Sequence, residues 1–351
     1  MSELDALLRF AWHPVCTLAE LSEARPGGNQ GPSGPRQSGN QGPKQVTLLG
    51  QKLAIAIIDG QPVALNDRCA HRSTSLSIGT VEDGGLRCAY HGWCYGADGK
   101  CTDIPALVDG PIPPRARVDS YAVQVAYDLV WVCLDDRAQL PVPVCPAFGD
   151  DTLRVLVGAP YTWPVAAPRR VENFVDLSHF AFVHDGSLGS RNAPVPPVPS
   201  IERAAGELLF NYDPPDLVVD PTALFGHSRY RMPMPCTVNI EFILASGARR
   251  LLWMTASPVT HASCRSFWFV SRSDAWDEPD DDHMAFQARI LAEDESVVCS
   301  QDPPEMVLDA NIELSVRTDR VSIEYRRWLR ELAAAAISEP SALRRALLLD
   351  D

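Results

Sequence analysis

The sequence predicts an α+β protein in which an all-β domain is followed by a domain of helices and antiparallel strands. Between residues 46 and 133, short runs of strand-forming residues are interrupted by Gly, Asp and Pro, a pattern typical of small antiparallel β domains. Helical patterns appear after these runs and alternate with further strand-like runs, which indicates helices that flank an antiparallel sheet. We therefore expect two domains, residues 1–148 and residues 149–351.

The first domain contains clear strand patterns and one segment that lacks any. The strand patterns cover residues 52–59, 61–67 and 121–136. Residues 26–44 are rich in Gly, Pro and Gln and contain the pentapeptide GNQGP twice. Such a segment buries too little apolar surface to offset the entropy lost on ordering, so we predict a flexible insertion there.

The second domain mixes both periodicities. The helical patterns cover residues 169–184, 282–301 and 324–336, and the strand patterns cover residues 237–245, 249–259 and 263–272. The strand patterns follow one another closely, whereas the helical patterns lie before and after them. This order predicts one antiparallel sheet with helices at its flanks.

Composition excludes several classes of function. The formal net charge of −14 and the pI of about 5.0 argue against a nucleic-acid binder, which needs a basic face to neutralise phosphates. We find no apolar run long enough to span a membrane and no secretory leader. Ten cysteines without dense regular spacing suit a reducing compartment, so we expect a cytoplasmic protein with free or metal-bound thiols.

Two cysteine–histidine pairs form the most distinctive motif of the first domain. Cys69 and His71 are spaced C-x-H, Cys88 and His91 are spaced C-x-x-H, and both pairs lie in glycine-rich loops between strand patterns. Two thiolates and two imidazoles suit zinc or an iron–sulfur cluster. The residue types alone leave both possibilities open.

Together with the His-Gly-Trp run that ends the motif, this pattern resembles the Rieske [2Fe–2S] motif, in which two histidines replace two cysteines on one iron. The resemblance implies that Cys69 and Cys88 hold one iron and that His71 and His91 hold the other. It also implies that Trp93 packs over the cluster and excludes water.

A second motif lies in the helical pattern of residues 169–184. Asn173, Asp176 and His179 are three residues apart and share one broad helix face, whereas His179 and His184 are five apart and would diverge by roughly 140° on a regular helix. The two histidines meet only if the helix ends, unwinds or takes a π-turn between them. Taken alone, the motif is also compatible with a hydrogen-bonded core network.

This second motif resembles the N-x-x-D-x-x-H-x-x-x-x-H signature of Rieske non-haem iron oxygenases, and every signature position is filled. The resemblance implies that His179 and His184 bind a mononuclear Fe(II), that Asp176 links the iron to the cluster of an adjacent subunit, and that Asn173 belongs to the catalytic site. It further implies a helix-grip (START/Bet v1-like) sheet whose concave face holds substrate. Asn239 and Trp253 lie in strands that are candidates for this face, as does Phe267.

The third iron ligand lies outside that signature. In the helical pattern of residues 282–301, Asp294 projects from an apolar stripe, whereas Glu293 and Glu295 fall to its flanks. A charged aspartate that faces a core is costly unless it is paired or bound to a metal. We therefore select Asp294 as the carboxylate ligand, with Asp302 as the alternative.

The resemblance to the branch that contains vanillate O-demethylase, dicamba O-demethylase and caffeine N-demethylases implies the function. We expect a terminal oxygenase that activates O2 at Fe(II) and hydroxylates or oxidatively demethylates a small cyclic molecule. Its electrons would come from a ferredoxin or ferredoxin reductase, so NAD(P)H would serve only indirectly, and the protein would be a homotrimer. Cations near the cluster loops, Arg68, Arg72, Arg87 and Lys100, are candidates for docking an acidic donor. The alternative is a Rieske electron-transfer protein with a non-catalytic ligand-binding domain.

Overall fold

The computed structural model describes residues 3–22, 42–212, 227–244 and 246–349. Contacts within the chain divide it into two compact units, one formed by residues 11–136 and the other by the residues before and after them. The first helix, α1 (Glu3–Phe10), belongs to the second unit, where it packs on a C-terminal helix. The predicted boundary at residue 148 stays a prediction.

Two antiparallel sheets form the unit of residues 11–136. In chain order its elements are β1 (His13–Thr17), α2 (Leu18–Ser22), β2 (Lys44–Leu48), β3 (Gln51–Ile58), β4 (Gln61–Asn66), β5 (Thr80–Glu82), β6 (Gly85–Arg87), β7 (Cys94–Tyr95), β8 (Cys101–Asp103), β9 (Ser120–Ala126) and β10 (Leu129–Cys133). One sheet has the order β1-β10-β9-β4-β3-β2 and the other β5-β6-β7-β8. Of the predicted insertion, only residues 42–44 are described, and the rest lies outside the described residues.

Strand β3 is buried on both faces, and this explains why its sequence is an almost continuous apolar run. Ala54, Ala56 and Ile58 contact the core beneath the second sheet, whereas Leu53 and Ile55 contact a separate core shared with β1 and β10. A strand with one exposed face alternates between apolar and polar residues, but a strand buried on both faces does not. Each fully buried isoleucine contributes about 2 kcal/mol to folding.

One long antiparallel sheet and its helices form the second unit. The strands are β11 (Arg154–Val157), β12 (Tyr161–Trp163), β13 (Ile201–Ala204), β14 (Glu207–Tyr212), β15 (His227–Pro233), β16 (Thr237–Ile243), β17 (Arg249–Thr260) and β18 (Ser263–Arg272). The helices after α2 are α3 (Ala167–Val175), α4 (Phe180–Val183), α5 (Asp280–Val298), α6 (Arg320–Ser338) and α7 (Pro340–Ala346). The sheet order is β11-β18-β17-β16-β15-β14-β13, and β12 also pairs with β18. The predicted α+β class is confirmed.

The helices differ in how they are stabilised. Helix α6 has an apolar stripe that buries Tyr325, Trp328 and Leu332 at helical spacing. Helix α5 begins with three aspartates, whose charge is favourable at a helix N-terminus. No helix among the described residues is long and apolar enough to cross a membrane.

Helix α3 is unusual because it is buried although it carries several charges. Arg169 is 2% exposed and Glu172 7% exposed. Glu172 receives two hydrogen bonds from Arg326 on α6, at 2.5 and 2.7 Å. Glu313 joins this network, because it contacts Arg326 at 2.7 Å and Arg169 at 2.6 Å. Buried charges are tolerated only when paired in this way, so the network fixes α3 against α6.

Candidate metal centres

Two short loops hold the cysteine–histidine pairs. The first follows β4, and its amide of Cys69 donates to the carbonyl of Thr74 at 2.8 Å. The second joins β6 to β7, and its amide of Cys88 donates to the carbonyl of Trp93 at 2.8 Å. Each loop is thus closed by its own backbone, which fixes the direction of the side chains within it.

The thiols of the two loops are buried and the imidazoles lie nearer the surface. Cys69 and Cys88 are each 3% exposed, and the rings of His71 and His91 are 4.5 Å apart. Trp93 stacks on His71 with centroids 4.6 Å apart. Nδ1 of His71 is buried and lacks a hydrogen-bond partner among the described residues, which is unfavourable unless it binds a further group.

The pKa of the Cys88 thiol is raised above its usual value. Burial raises the pKa of Cys88, the amide of Tyr90 partly offsets this effect, and the neighbouring Cys69 adds to it. Adjacent buried thiols of this kind lose their protons when a metal binds. Two sulfur and two imidazole donors are the set that a Rieske cluster requires.

Arg87 is not free to dock a partner. Its side chain is 19% exposed and contacts Glu82 at 2.5 Å, Asp83 at 2.9 Å, Asp103 at 2.7 Å and the carbonyl of Gly92 at 2.7 Å. These contacts neutralise its charge and tie it to the second loop. Arg87 therefore supports the loop, and the docking role expected from the sequence does not suit it.

The histidines of the second motif meet because the helix is interrupted. Helix α3 ends at Val175, and His179 and His184 flank the single turn of α4. The carbonyl of His179 accepts a hydrogen bond from the amide of Val183 at 2.8 Å, which begins that turn. The two imidazole rings are 5.0 Å apart. The sequence predicted that they meet if the helix ends between them, and α4 does end there, at Val183, whereas the break after α3 lies before His179.

Asp294 lies beside both histidines. Its Oδ1 is 3.5 Å from Nε2 of His179 and 3.2 Å from Nε2 of His184, and potential ligand atoms of the three residues lie within 4.8 Å of one another. Burial would raise the pKa of Asp294, but contacts with the two histidines hold it well below its usual range. Two imidazoles and one carboxylate are the donors of a facial triad for Fe(II). Asp302, the alternative from sequence, is exposed and lies outside this group.

A cavity of about 310 Å³ opens from the three residues. Its sheet side includes Ile240, Leu252 and Val270, which are cross-strand neighbours on β16, β17 and β18. Helix α5 forms another side and contributes Gln287 and Asp294. The cavity wall does not include the candidates Asn239, Trp253 and Phe267. Ile240 and Leu252, the neighbours of Asn239 and Trp253 in their strands, line it instead.

Comparisons with known proteins agree with these two centres. Residues 34–122 match the Rieske [2Fe-2S] domain, and residues 163–335 match the Vanillate O-demethylase oxygenase C-terminal domain. The chain is 42% identical to methylxanthine N3-demethylase NdmB of Pseudomonas putida over 97% of this chain and 94% of that one. It is 39% identical to methylxanthine N1-demethylase NdmA of the same species, covering 97% and 93%.

The chain belongs to the Rieske non-haem iron oxygenases.

Solved structures agree with this assignment. The structure of NdmA from Pseudomonas putida with caffeine is similar to this oxygenase with a TM-score of 0.89 and 38% identity, covering 99% of this chain and 97% of that one. Dicamba monooxygenase bound to dicamba has the same fold, with a TM-score of 0.76 at 22% identity, covering 95% and 99%.

The family establishes the activity and the cofactors of this oxygenase. It carries a Rieske [2Fe–2S] cluster and a mononuclear iron, uses O2 and receives electrons from a separate reductase. It hydroxylates or oxidatively demethylates a small organic molecule. The predicted family and enzyme class are confirmed, and the alternative of an electron-transfer protein is not supported.

Glu293 is a residue of the oxygenase site whose role the sequence did not reveal. Its Oε2 is 2.7 Å from Nδ1 of His184, and its Oε1 accepts a hydrogen bond from the hydroxyl of Ser187 at 2.8 Å. A carboxylate behind an imidazole fixes the tautomer and the ring orientation of a metal ligand. The sequence did place Glu293 next to Asp294 on a helix. It does not show that His184 lies beside Glu293, so it could not reveal this contact.

Asp176 occupies the end of α3. Its Oδ1 accepts a hydrogen bond from the amide of Ser178 at 2.9 Å, and its Oδ2 is 3.8 Å from Nδ1 of His179. The side chain is 38% exposed, so it has room for a second partner. Its role as a bridge between subunits stays a prediction.

Proposed function

We propose that this oxygenase removes an N-methyl group from a methylated purine. The observation that carries the proposal is the buried side-chain amide of Gln287, which lines the apolar cavity on the same helix as Asp294. A cavity of about 310 Å³ is at the small end for ligand pockets and suits a molecule of one or two rings. The relatives NdmB and NdmA are methylxanthine demethylases by name, which supports the same substrate class.

The spacing along α5 is compatible with a bicyclic substrate. Gln287 and Asp294 are seven residues apart, which corresponds to roughly 10 Å along a helix. An amide presents one acceptor and two donor hydrogens, so Gln287 can pair with the alternating carbonyl and N–H groups at the edge of an oxidised purine. Phe174, Phe180 and Phe286 supply aromatic surface around the rings. The amide of Gln287 would bind one edge of the purine. A methyl group at the other edge would then face His179, His184 and Asp294.

The cofactors would be held by the residues expected from the sequence. Cys69 and Cys88 would bind one iron of the cluster, and His71 and His91 the other, with Trp93 covering the site. The support for this assignment is the closure of both loops and the buried Nδ1 of His71, which has no hydrogen-bond partner in the part of the chain that the structure describes.

The mononuclear iron would be held by His179, His184 and Asp294. When bound, the iron would activate O2 for reaction with a methyl group, using electrons that come from the reductase. Asn173 donates a hydrogen bond to Oδ1 of Asp294 at 3.2 Å and holds this carboxylate in place. The apolar cavity wall excludes water from the methyl group, which limits wasteful reduction of oxygen.

Asp176 would connect the mononuclear iron centre of one copy of the chain to the Rieske cluster of an adjacent copy. In a homotrimer, its carboxylate would accept hydrogen bonds from His179 of its own subunit and from His91 of an adjacent one. The half-exposed position of Asp176 and the exposed position of His91 support this arrangement. We also propose a cytoplasmic location, because all ten cysteines are free thiols in this structure.

Turnover of defined methylated purines tests the proposed function. The purified protein is supplied with NADH, a surrogate reductase and individual methylxanthines, and formaldehyde and the demethylated purine are measured. We expect formaldehyde in equal amount to the demethylated purine. Release of a hydroxylated product without formaldehyde, or turnover of methoxybenzoates alone, would contradict the proposal.

A further inference from the structure

A buried arginine lies behind the iron site. Arg170 on α3 is 0% exposed, and its guanidinium lies 4.3 Å from the ring centre of Trp163 and 4.0 Å from that of Phe174. Its Nε donates to the hydroxyl of Tyr161 at 2.8 Å. The aromatic rings and this hydrogen bond hold the guanidinium in one place, so its remaining N–H groups point in fixed directions.

One of those N–H groups determines the orientation of Asn173. The guanidinium has donors only, so the oxygen of the Asn173 amide must face Arg170, and its Nη1 donates to that oxygen. The amide nitrogen of Asn173 then faces Asp294 and donates to Oδ1 at 3.2 Å. A flipped amide would place an oxygen against the carboxylate, which is repulsive. Arg170 thereby makes Asn173 a donor to Asp294.

The two oxygens of Asp294 have different surroundings. Oδ1 lies beside Nε2 of both His179 and His184, whereas Oδ2 is 3.6 Å from Nη1 of Arg170. A divalent cation is attracted to the oxygen among the imidazoles and repelled from the side that faces a guanidinium. Asp294 is 4% exposed, so water does not screen this difference.

From this arrangement we propose that Arg170 is a positioning residue that presents Asp294 to the iron through Oδ1 alone. The inference rests on the proposed binding of iron by His179, His184 and Asp294. A carboxylate that binds through one oxygen occupies one coordination position and leaves the next one open for O2 or water. Arg170 would thus set the number of open positions at the iron without contacting the substrate.

The substitution R170M tests the proposal in the iron-loaded protein. Methionine keeps apolar volume between the aromatic rings but removes the charge and the donors. We expect the EPR signal of the nitrosyl complex of the mononuclear Fe(II) to change its rhombicity, because the second carboxylate oxygen becomes available to the metal. We also expect the Kd for Fe(II) to rise about 10-fold or more, as for other residues that orient metal ligands.

Arg169 provides the matched control. It is the preceding residue, is equally buried, and pairs with Glu313 instead of Asp294. R169M removes the same kind of buried cation from the same helix, so it reports a purely structural effect. We expect R169M to keep the nitrosyl spectrum and the Kd for Fe(II) of the unchanged protein.

The lysine substitution keeps the test decisive if R170M does not fold. R170K retains a positive charge but not the planar fork of donors. If R170M folds, the nitrosyl spectrum of R170K should change less than that of R170M. If R170M does not fold, the spectrum of R170K should still differ measurably from that of the unchanged protein. An unchanged rhombicity of the EPR signal, together with a Kd for Fe(II) within about twofold of that of the unchanged protein, in whichever variant folds, would overturn the role of Arg170. The substitution D294A is the separate test of the ligand set: iron binding that persists there refutes the proposed centre and not Arg170 alone.

Discussion

Glu293 and Asp294 are adjacent on α5, but they face the proposed iron site differently. Asp294 points toward both histidines, whereas Glu293 contacts only the far nitrogen of His184, at 2.7 Å. This carboxylate favours the tautomer in which Nε2 of His184 is free to bind a metal.

The substitution E293A should weaken iron binding without affecting the cluster. Without its carboxylate partner, His184 loses both its orientation and part of its basicity, so we expect the Kd for Fe(II) to rise about 10- to 100-fold. Iron titration of the metal-free centre measures this change. E295A is the control, because Glu295 is exposed on the same helix. Equal affinities of the two variants would show that Glu293 does not orient His184.

Gln287 should determine how well a purine is recognised. In Q287L the hydrogen-bonding groups of the substrate edge would be buried without partners, so we expect kcat/KM to fall about 100-fold or more. Steady-state kinetics with the preferred methylxanthine measure this loss. Q301L is the control, since Gln301 is exposed just beyond α5. A fall confined to substrates without carbonyl groups would contradict recognition by the amide.

At the scale of elements, α3 connects the proposed iron site to α6. One face of α3 carries Arg170 and Asn173 toward Asp294, and Glu172 on the same helix binds Arg326. Helix α3 therefore contacts the proposed iron ligand Asp294 through one set of side chains and α6 through another.

The substitution R326M should destabilise the second unit. It leaves Glu172 buried and unpaired, which typically costs about 3 kcal/mol or more. Burial already raises the pKa of Glu172, although Arg326 lowers it. A carboxyl with a raised pKa in the folded state favours folding below its unfolded pKa and loses this contribution as the pH rises. We therefore expect the defect to grow from mildly acidic to mildly alkaline pH.

Denaturant unfolding of R326M and R327M measures this difference. Arg327 is the next residue but is 64% exposed, and it pairs with the half-buried Glu324 and with Glu331. Surface pairs contribute less than about 1 kcal/mol, so R327M should unfold almost like the unchanged protein. Equal losses in the two variants would mean that the buried pair does not stabilise the junction.

The sequence predicts the parts of the fold and site that depend on short-range spacing. The cluster loops lie between strands as expected. Helix α4 ends at Val183, before His184, and a helix end between the two histidines is one of the conditions that their five-residue separation requires. Asp294 stood out because a charge in an apolar stripe needs a partner. Glu293 and Arg170 did not stand out, because their roles depend on which residues the sheet brings together over more than 100 positions of the chain.

At the scale of the whole molecule, the proposed trimer makes each copy depend on its neighbour. C88A should lack the cluster and D294A should lack the mononuclear iron, so each variant alone should be inactive. If electrons pass between copies, unfolding and reassembling both variants together restores activity at about a quarter of the interfaces, since each interface joins two copies drawn at random. Formaldehyde release by the mixture is the measurement. Persistent inactivity of a mixture that contains both metal centres would argue for transfer within one chain.

The course of the chain has a practical consequence. The chain starts in the second unit with α1, enters the first unit at residue 11 and returns at residue 137, where Arg137 lies 5.9 Å from the ring of Phe10. Within the first unit, β1 and β10 are paired, so its entry and exit strands are neighbours. The cluster unit is therefore a domain inserted into the sequence of the second unit. Joining Phe10 directly to Arg137 should yield a second unit that still folds, and the same junction is the place to insert a cluster unit of different redox potential.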